Sequence, residues 1–168
     1  LIQAPYAVEC FEENTVVLPM TVLEELDNMK KEEGEKGANV RKVIRILDAH
    51  REKGNLLEGV RMEWGGILRV EKNYRNVELP PDLPEHKSDN RILKVCVGLS
   101  NDLKEQVILV TKDILLRIKA QLLGIQAEDF GTEQVAVHEE QYLGRREVFV
   151  PEELFKDFKK KGVPVECV

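Results

Sequence analysis

The run QVILVTK, residues 106–112, constrains the fold of this chain more than any other segment. Its apolar stretch is continuous and bounded by polar residues. A strand with one wet face alternates apolar and polar side chains, whereas a strand buried on both faces does not, and such strands belong to parallel sheets covered by helices. Asp113 stands directly after it. ILLRIKAQLLG follows with helical spacing and Gly124 as its stop.

The rest of the chain supplies the alternation that such a sheet needs. LIQAPYAVECF reads as a turn and a short helix. ENTVVLP gives a β-branched strand at 15–18, closed by Pro19. TVLEELDNMKK predicts a helix with Thr21 as N-cap and Glu24 completing a capping box. EEGEKG reads as a flexible loop. In ANVRKVIRILDAHREKGN, Val40, Val43, Ile44 and Leu47 mark one buried helical face, and Gly54 supplies the stop. GILRVEK is a strand within a Pro- and Gly-rich connection, SDNRILKVCVGLS a helix capped by Ser88, and IQAED an edge strand. Strand, helix, helix, strand, helix, strand, helix, strand predicts an α/β fold, a three-layer α/β/α sandwich around a mostly parallel sheet. From residue 131 the character changes. Residues 131–168 read as a small carboxy-terminal extension of two short alternating segments and a charged amphipathic helix after Pro151. Leu154, Phe155 and Phe158 fall on one side of that helix, a stripe that packs on its own domain or on a neighbouring copy of the chain. The expected division is 1–130 and 131–168.

Composition narrows the function classes. With 42% hydrophobic and 33% charged residues, the chain is globular in composition. No apolar run approaches the roughly 18 residues that span a bilayer, and no leader pattern is present. Three cysteines, odd in number and widely spaced, read as reduced thiols of a cytoplasmic protein. No two cysteines or histidines have zinc-ligand spacing. A net charge of −6 argues against a general polyanion binder unless local basic patches, or metal ions held by acids, face the phosphates.

Three acids fall where α/β sheets collect ligands, at the carboxyl ends of strands. Asp113 follows VILVTK directly, and as a bare helix cap it would sit in the same place. Glu25 borders the stripe of Val22, Leu26 and Met29, while Glu24 points to solvent. Taken alone, Glu25 is more ordinarily a surface acid. Asp89 shares a helical face with Ile92, Leu93 and Cys96, and a helix N-terminus favours its ionised form. Three carboxylates on one rim repel one another unless cations sit among them, and hard oxygen donors suit Mg²⁺ or Mn²⁺. His50, His86 and His138 have no paired motif. His50 lies near the inner edge of its helix and reads as packed or surface-exposed rather than catalytic.

VVLPMTVLEELDNMKK, SDNRILKVCVGL and VILVTKDILLRIKAQLLGIQAEDF resemble the PIN-domain nucleases, and within them the amino-terminal PIN domain of PhoH-type proteins. The likeness covers roughly residues 1–130. It includes ANVRKVIRILDAHREKGNLLEGV, while YLGRREVFVPEELFKDF is similar to the connector that leads into a PhoH ATPase domain. The resemblance implies a compact α/β/α fold and metal-dependent cleavage of single-stranded RNA. It implies catalytic and metal-binding roles for Glu25, Asp89 and Asp113, with Thr111 orienting the site. Arg91 and Lys112, with Arg41 or Arg45, are candidates to contact the RNA backbone, although each is as readily a solvated surface charge. The family pattern opens with a hydrophobic strand ending in an Asp. This chain starts past that point, at Leu1 and Ile2, so the resemblance implies an upstream strand and a further acid in the parent protein. No G-x-x-x-x-G-K-[ST] phosphate loop occurs, so ATP hydrolysis is not expected of these residues. The runner-up reading is a non-catalytic RNA-docking or regulatory domain serving an ATPase module.

Overall fold

The computed structural model describes residues 1–103 and 105–131; the expected extension and its 152–161 helix lie outside the described residues. A 3-10 helix, Pro5–Glu9, opens the chain. It is followed by β1 (Thr15–Pro19), α1 (Met20–Met29) and α2 (Gly34–Lys53). Then come β2 (Val60–Arg61), β3 (Ile67–Glu71), α3 (Ser88–Asp102), β4 (Ile108–Val110), α4 (Ile114–Leu122) and β5 (Gln126–Glu128). The predicted alternation of strands and helices is present throughout, and the layering is α/β/α. The two-residue β2 was not foreseen.

β1 and β3 pair in parallel, from Thr15 opposite Ile67 to Pro19 opposite Glu71. β2 folds back antiparallel on β3, and β4 pairs in parallel with β5. Among the described residues no ladder joins these two sheets, so β1 and β4 each keep one unpaired edge. Two hydrophobic clusters follow the same division. Leu18, Leu26, Val40, Val43, Leu47 and Leu68 pack β1 and β3 against α1 and α2. Leu93, Cys96, Leu109, Leu116 and Ala120 pack β4 against α3 and α4. α3 touches both α1 and α4.

Several local expectations are corrected. Thr21 does not cap α1. The helix begins one residue earlier, with Pro19 at the cap position, and no side chain closes it. Thr21 is fully buried and its hydroxyl meets Asn73 Oδ1 at 3.3 Å, so Glu24 has no capping box to complete. Ser88 is the first residue of α3 rather than its cap; Lys87 holds that place without a side-chain bond. EEGEKG is loop only at its start, because α2 begins at Gly34. Gly37 permits this: a Cβ there would stand 1.8 Å from the Glu32 carbonyl oxygen. β4 is not buried on both faces. Leu109 is buried, whereas Ile108 and Val110 are 40% and 38% exposed. Side chains two apart share a face, so Ile108 and Val110 mark the more exposed face of β4.

Candidate active site

The carboxyl ends of β1 and β4 lead directly toward Glu25 and Asp113, whereas residues 72–87 separate β3 from α3, which carries Asp89. β1 passes without a loop into α1, whose inner stripe is Leu26 with the half-buried Val22 and Met29. Glu25 is half-buried beside that stripe and Glu24 is exposed, as the helical spacing predicts. β4 ends at Val110, and Thr111 and Lys112 lead to Asp113.

Asp113 caps α4. Its Oδ1 accepts from the backbone N–H groups of Leu115 and Leu116, at 2.8 and 3.1 Å. The Thr111 hydroxyl accepts from the Asp113 N–H at 3.2 Å, which shapes the turn that aims the carboxylate. Asp89 occupies the first turn of α3, where the helix dipole favours its charge. Its Oδ2 lies 3.3 Å from Lys119 Nζ on α4. Two residues on, Arg91 Nη1 donates to Glu24 Oε2 on α1 at 3.2 Å. The first turn of α3 thus bridges to both neighbouring helices through opposite charges. Asn90, between them, is 1% exposed and donates to the Pro84 carbonyl at 2.8 Å, fixing the loop that enters the helix.

The structure brings Asp89 against α4 and Arg91 against α1, but it does not gather Glu25, Asp89 and Asp113 into one cage. Among the described residues no three Asp, Glu, His or Cys side chains are grouped closely enough to hold a metal ion. The side chains as placed therefore do not fit an ion on their own: one Asp113 oxygen serves the helix cap and Asp89 is held by an ammonium. Among the candidate phosphate contacts, Lys112 is exposed. Arg41 is engaged elsewhere; its Nη1 donates to the Lys30 and Glu32 carbonyls, both at 3.2 Å, closing the end of α1. His50, expected to be packed or surface-exposed, is buried. Sequence reasoning missed Lys119. A lone lysine at a half-buried position in the oily helix ILLRIKAQLL was the available signal.

A PIN domain family model matches residues 1–131. Protein PhoH2 of Bacillus subtilis is 43% identical over 168 residues, covering 96% of this chain and 38% of that protein. Protein PhoH2 of Mycolicibacterium smegmatis is 36% identical over 140 residues, 82% of this chain and 32% of that protein. The PhoH2 of Thermobispora bispora is 34% identical over 131 residues, 77% of this chain and 30% of that protein. The chain therefore spans about a third of the length of these curated relatives. Among the described residues no helix is long and apolar enough to cross a membrane.

Proposed function

This chain belongs to the PIN domain family, a nuclease-type family, and from that premise we propose that residues 1–130 are an endoribonuclease domain. Its reaction is hydrolysis of phosphodiester bonds in single-stranded RNA, with Mg²⁺ or Mn²⁺ as cofactor. Glu25, Asp89 and Asp113 are the proposed catalytic and metal-binding carboxylates, Thr111 orients Asp113, and Arg91 and Lys112 meet the backbone phosphates. In the parent protein the domain works in the cytoplasm beside a PhoH-type ATPase domain, reached through residues 131–168.

One observation carries this reading. The three acids come from separate parts of the chain, Glu25 in the helix after β1, Asp89 in the first turn of α3 and Asp113 after β4, and the carboxyl ends of strands are where α/β sheets bind ligands. The test is RNA cleavage by the parent protein carrying Asp89→Asn. Cleavage is expected to vanish while stability falls by no more than about 1 kcal/mol, the ordinary worth of an exposed ion pair. Undiminished cleavage would leave Asp89 as nothing more than the partner of Lys119.

A second reading, an RNA-docking domain without chemistry, is favoured by the Asp89–Lys119 pair and the capping work of Asp113. Thermal melting with millimolar Mn²⁺ separates the two. A domain that binds the ion in its folded state melts higher as the ion is added, and an unmoved transition points to docking.

A further inference from the structure

Asp89 has a cation beside it that belongs to the protein itself. Lys119 Nζ stands 3.3 Å from Asp89 Oδ2, and the two side chains are 26% and 39% exposed. Asp89 Oδ1 receives no hydrogen bond or ion pair among the described residues.

The packing of α3 on α4 brings the two together. Leu116 and Ala120, three residues before and one after Lys119, are buried in the same cluster as Leu93, one turn beyond Asp89. The nearby cations on these helices are committed to other acids. Arg91 is paired with Glu24, Lys94 with Glu85 and Arg117 with Asp129. Among the described residues Lys119 is the one cation paired with Asp89, and neither Glu25 nor Asp113 is paired with a cation.

The acids as placed do not fit an ion on their own, and Lys119 is part of the reason. Mg²⁺ and Mn²⁺ are held by ionised carboxylate oxygens. An ammonium and a divalent ion on one carboxylate repel each other, so an ion reaches Asp89 only as the lysine withdraws. A lysine head on a long stem can turn into water while the stem stays against apolar surface. Withdrawal from a pair as exposed as this one costs little. Lys119 therefore weakens ion binding at Asp89 without forbidding it.

We propose that Lys119 is a further residue of this site, which sets how tightly the site takes a divalent ion by competing for Asp89. The inference rests on the metal-dependent reading above. The competition is confined to Asp89, because the other two acids have no cation of their own to displace.

The test is Mn²⁺ binding by the parent protein, followed through the electron paramagnetic resonance signal of the free ion. Only binding that Asp89→Asn removes is assigned to this site. Lys119→Met keeps the apolar stem without the charge and should bind Mn²⁺ about fivefold more tightly than wild type. That factor is the ~1 kcal/mol of a partly exposed pair, at ~1.4 kcal/mol per tenfold. Lys119→Arg retains the charge and should bind no more tightly than wild type. A purely structural role predicts the opposite sign, since damage to the contact between α3 and α4 loosens the site. Lys119→Gln, also uncharged, keeps the proposal testable if Lys119→Met unfolds. Mn²⁺ bound by the uncharged variants and not by wild type would be the same competition in stronger form. Equal or weaker binding by a folded uncharged variant would overturn the role of Lys119 and leave the ion site standing. No Asp89-dependent binding in wild type or in either uncharged variant would overturn the metal-dependent reading as well.

Discussion

Gly98 sits within α3, and replacing it by alanine tests how the loop before that helix is held. A Cβ at Gly98 would stand 2.3 Å from Tyr74 Cγ and Cδ1 and 2.7 Å from Cε1. Those atoms are the root and flank of the ring, so the whole side chain must swing away. The Tyr74 hydroxyl bonds to Asp102, one turn beyond Gly98; burial first and then this bond push the phenol up to about 12. Overpacking of this kind costs about 2 kcal/mol, and the lost bond to a carboxylate about 1.5 kcal/mol. Alanine in a helix returns about 1 kcal/mol relative to glycine. Gly98→Ala should therefore destabilise by about 2.5 kcal/mol, a fall in Tm of about 7 °C for a domain of this size. Urea unfolding followed by circular dichroism measures it, on Gly98→Ala, Tyr74→Ala and the double variant. Without the ring, Gly98→Ala should turn stabilising by up to about 1 kcal/mol, a coupling of up to about 3.5 kcal/mol between the two positions. The same loss in both backgrounds would refute the clash and leave some other cause for it. The outcome bears on the rim, because the connection pinned by Tyr74 leads into the first turn of α3, where Asp89 stands.

Two further outcomes follow from groups already described. Asp113→Ala should cost about 1 kcal/mol in urea unfolding through loss of the helix cap, and Asp113→Asn only a few tenths, since its side-chain oxygen still accepts. If the charge is needed for chemistry, both variants lose RNA cleavage; full cleavage by Asp113→Asn would reduce Asp113 to its capping role. Burial pushes the Cys96 thiol up to about 11, from an ordinary value of 9.0. The folded state therefore favours the protonated thiol. This contribution is complete below pH 9 and declines as pH rises through 11, amounting to about 2–3 kcal/mol at most. The stability gap between wild type and Cys96→Ala, measured by urea unfolding, should thus be widest near pH 8 and shrink by pH 11. A gap that holds constant with pH would contradict it.

The parts of the fold legible in the sequence are those governed by local periodicity. Val40, Val43 and Leu47 are buried where the helical spacing put them, and Leu26 is buried while Glu24 is exposed. GILRVEK and IQAED are strands where expected. The failures share a cause. Thr21 and Ser88 looked like caps because a hydroxyl before a helix usually is one. The Thr21 hydroxyl is instead committed to Asn73, 52 residues away, a partner no local pattern reveals. The same holds at the rim. The cap at Asp113 was an expected alternative, because its partners lie two and three residues on. The Lys119 partner of Asp89 lies 30 residues on and on another helix, so only the packing of α3 on α4 brings it there.

That packing also sets the separation of the three acids. Glu25 rides on α1 with the first hydrophobic cluster, Asp113 precedes α4 with the second, and the two clusters share no residue. With no ladder between β1 and β4 among the described residues, α3, which touches both α1 and α4, helps to relate them, as does the Phe11–Phe130 ring contact. The contacts of its first turn with both neighbours include the Asp89–Lys119 and Arg91–Glu24 pairs. Partly exposed pairs of this sort are worth at most about 1 kcal/mol each. Each acid's own backbone is fixed by a helix or its cap, and α3 is held against α4 by buried Leu93 and Cys96 as well as by the Asp89–Lys119 pair.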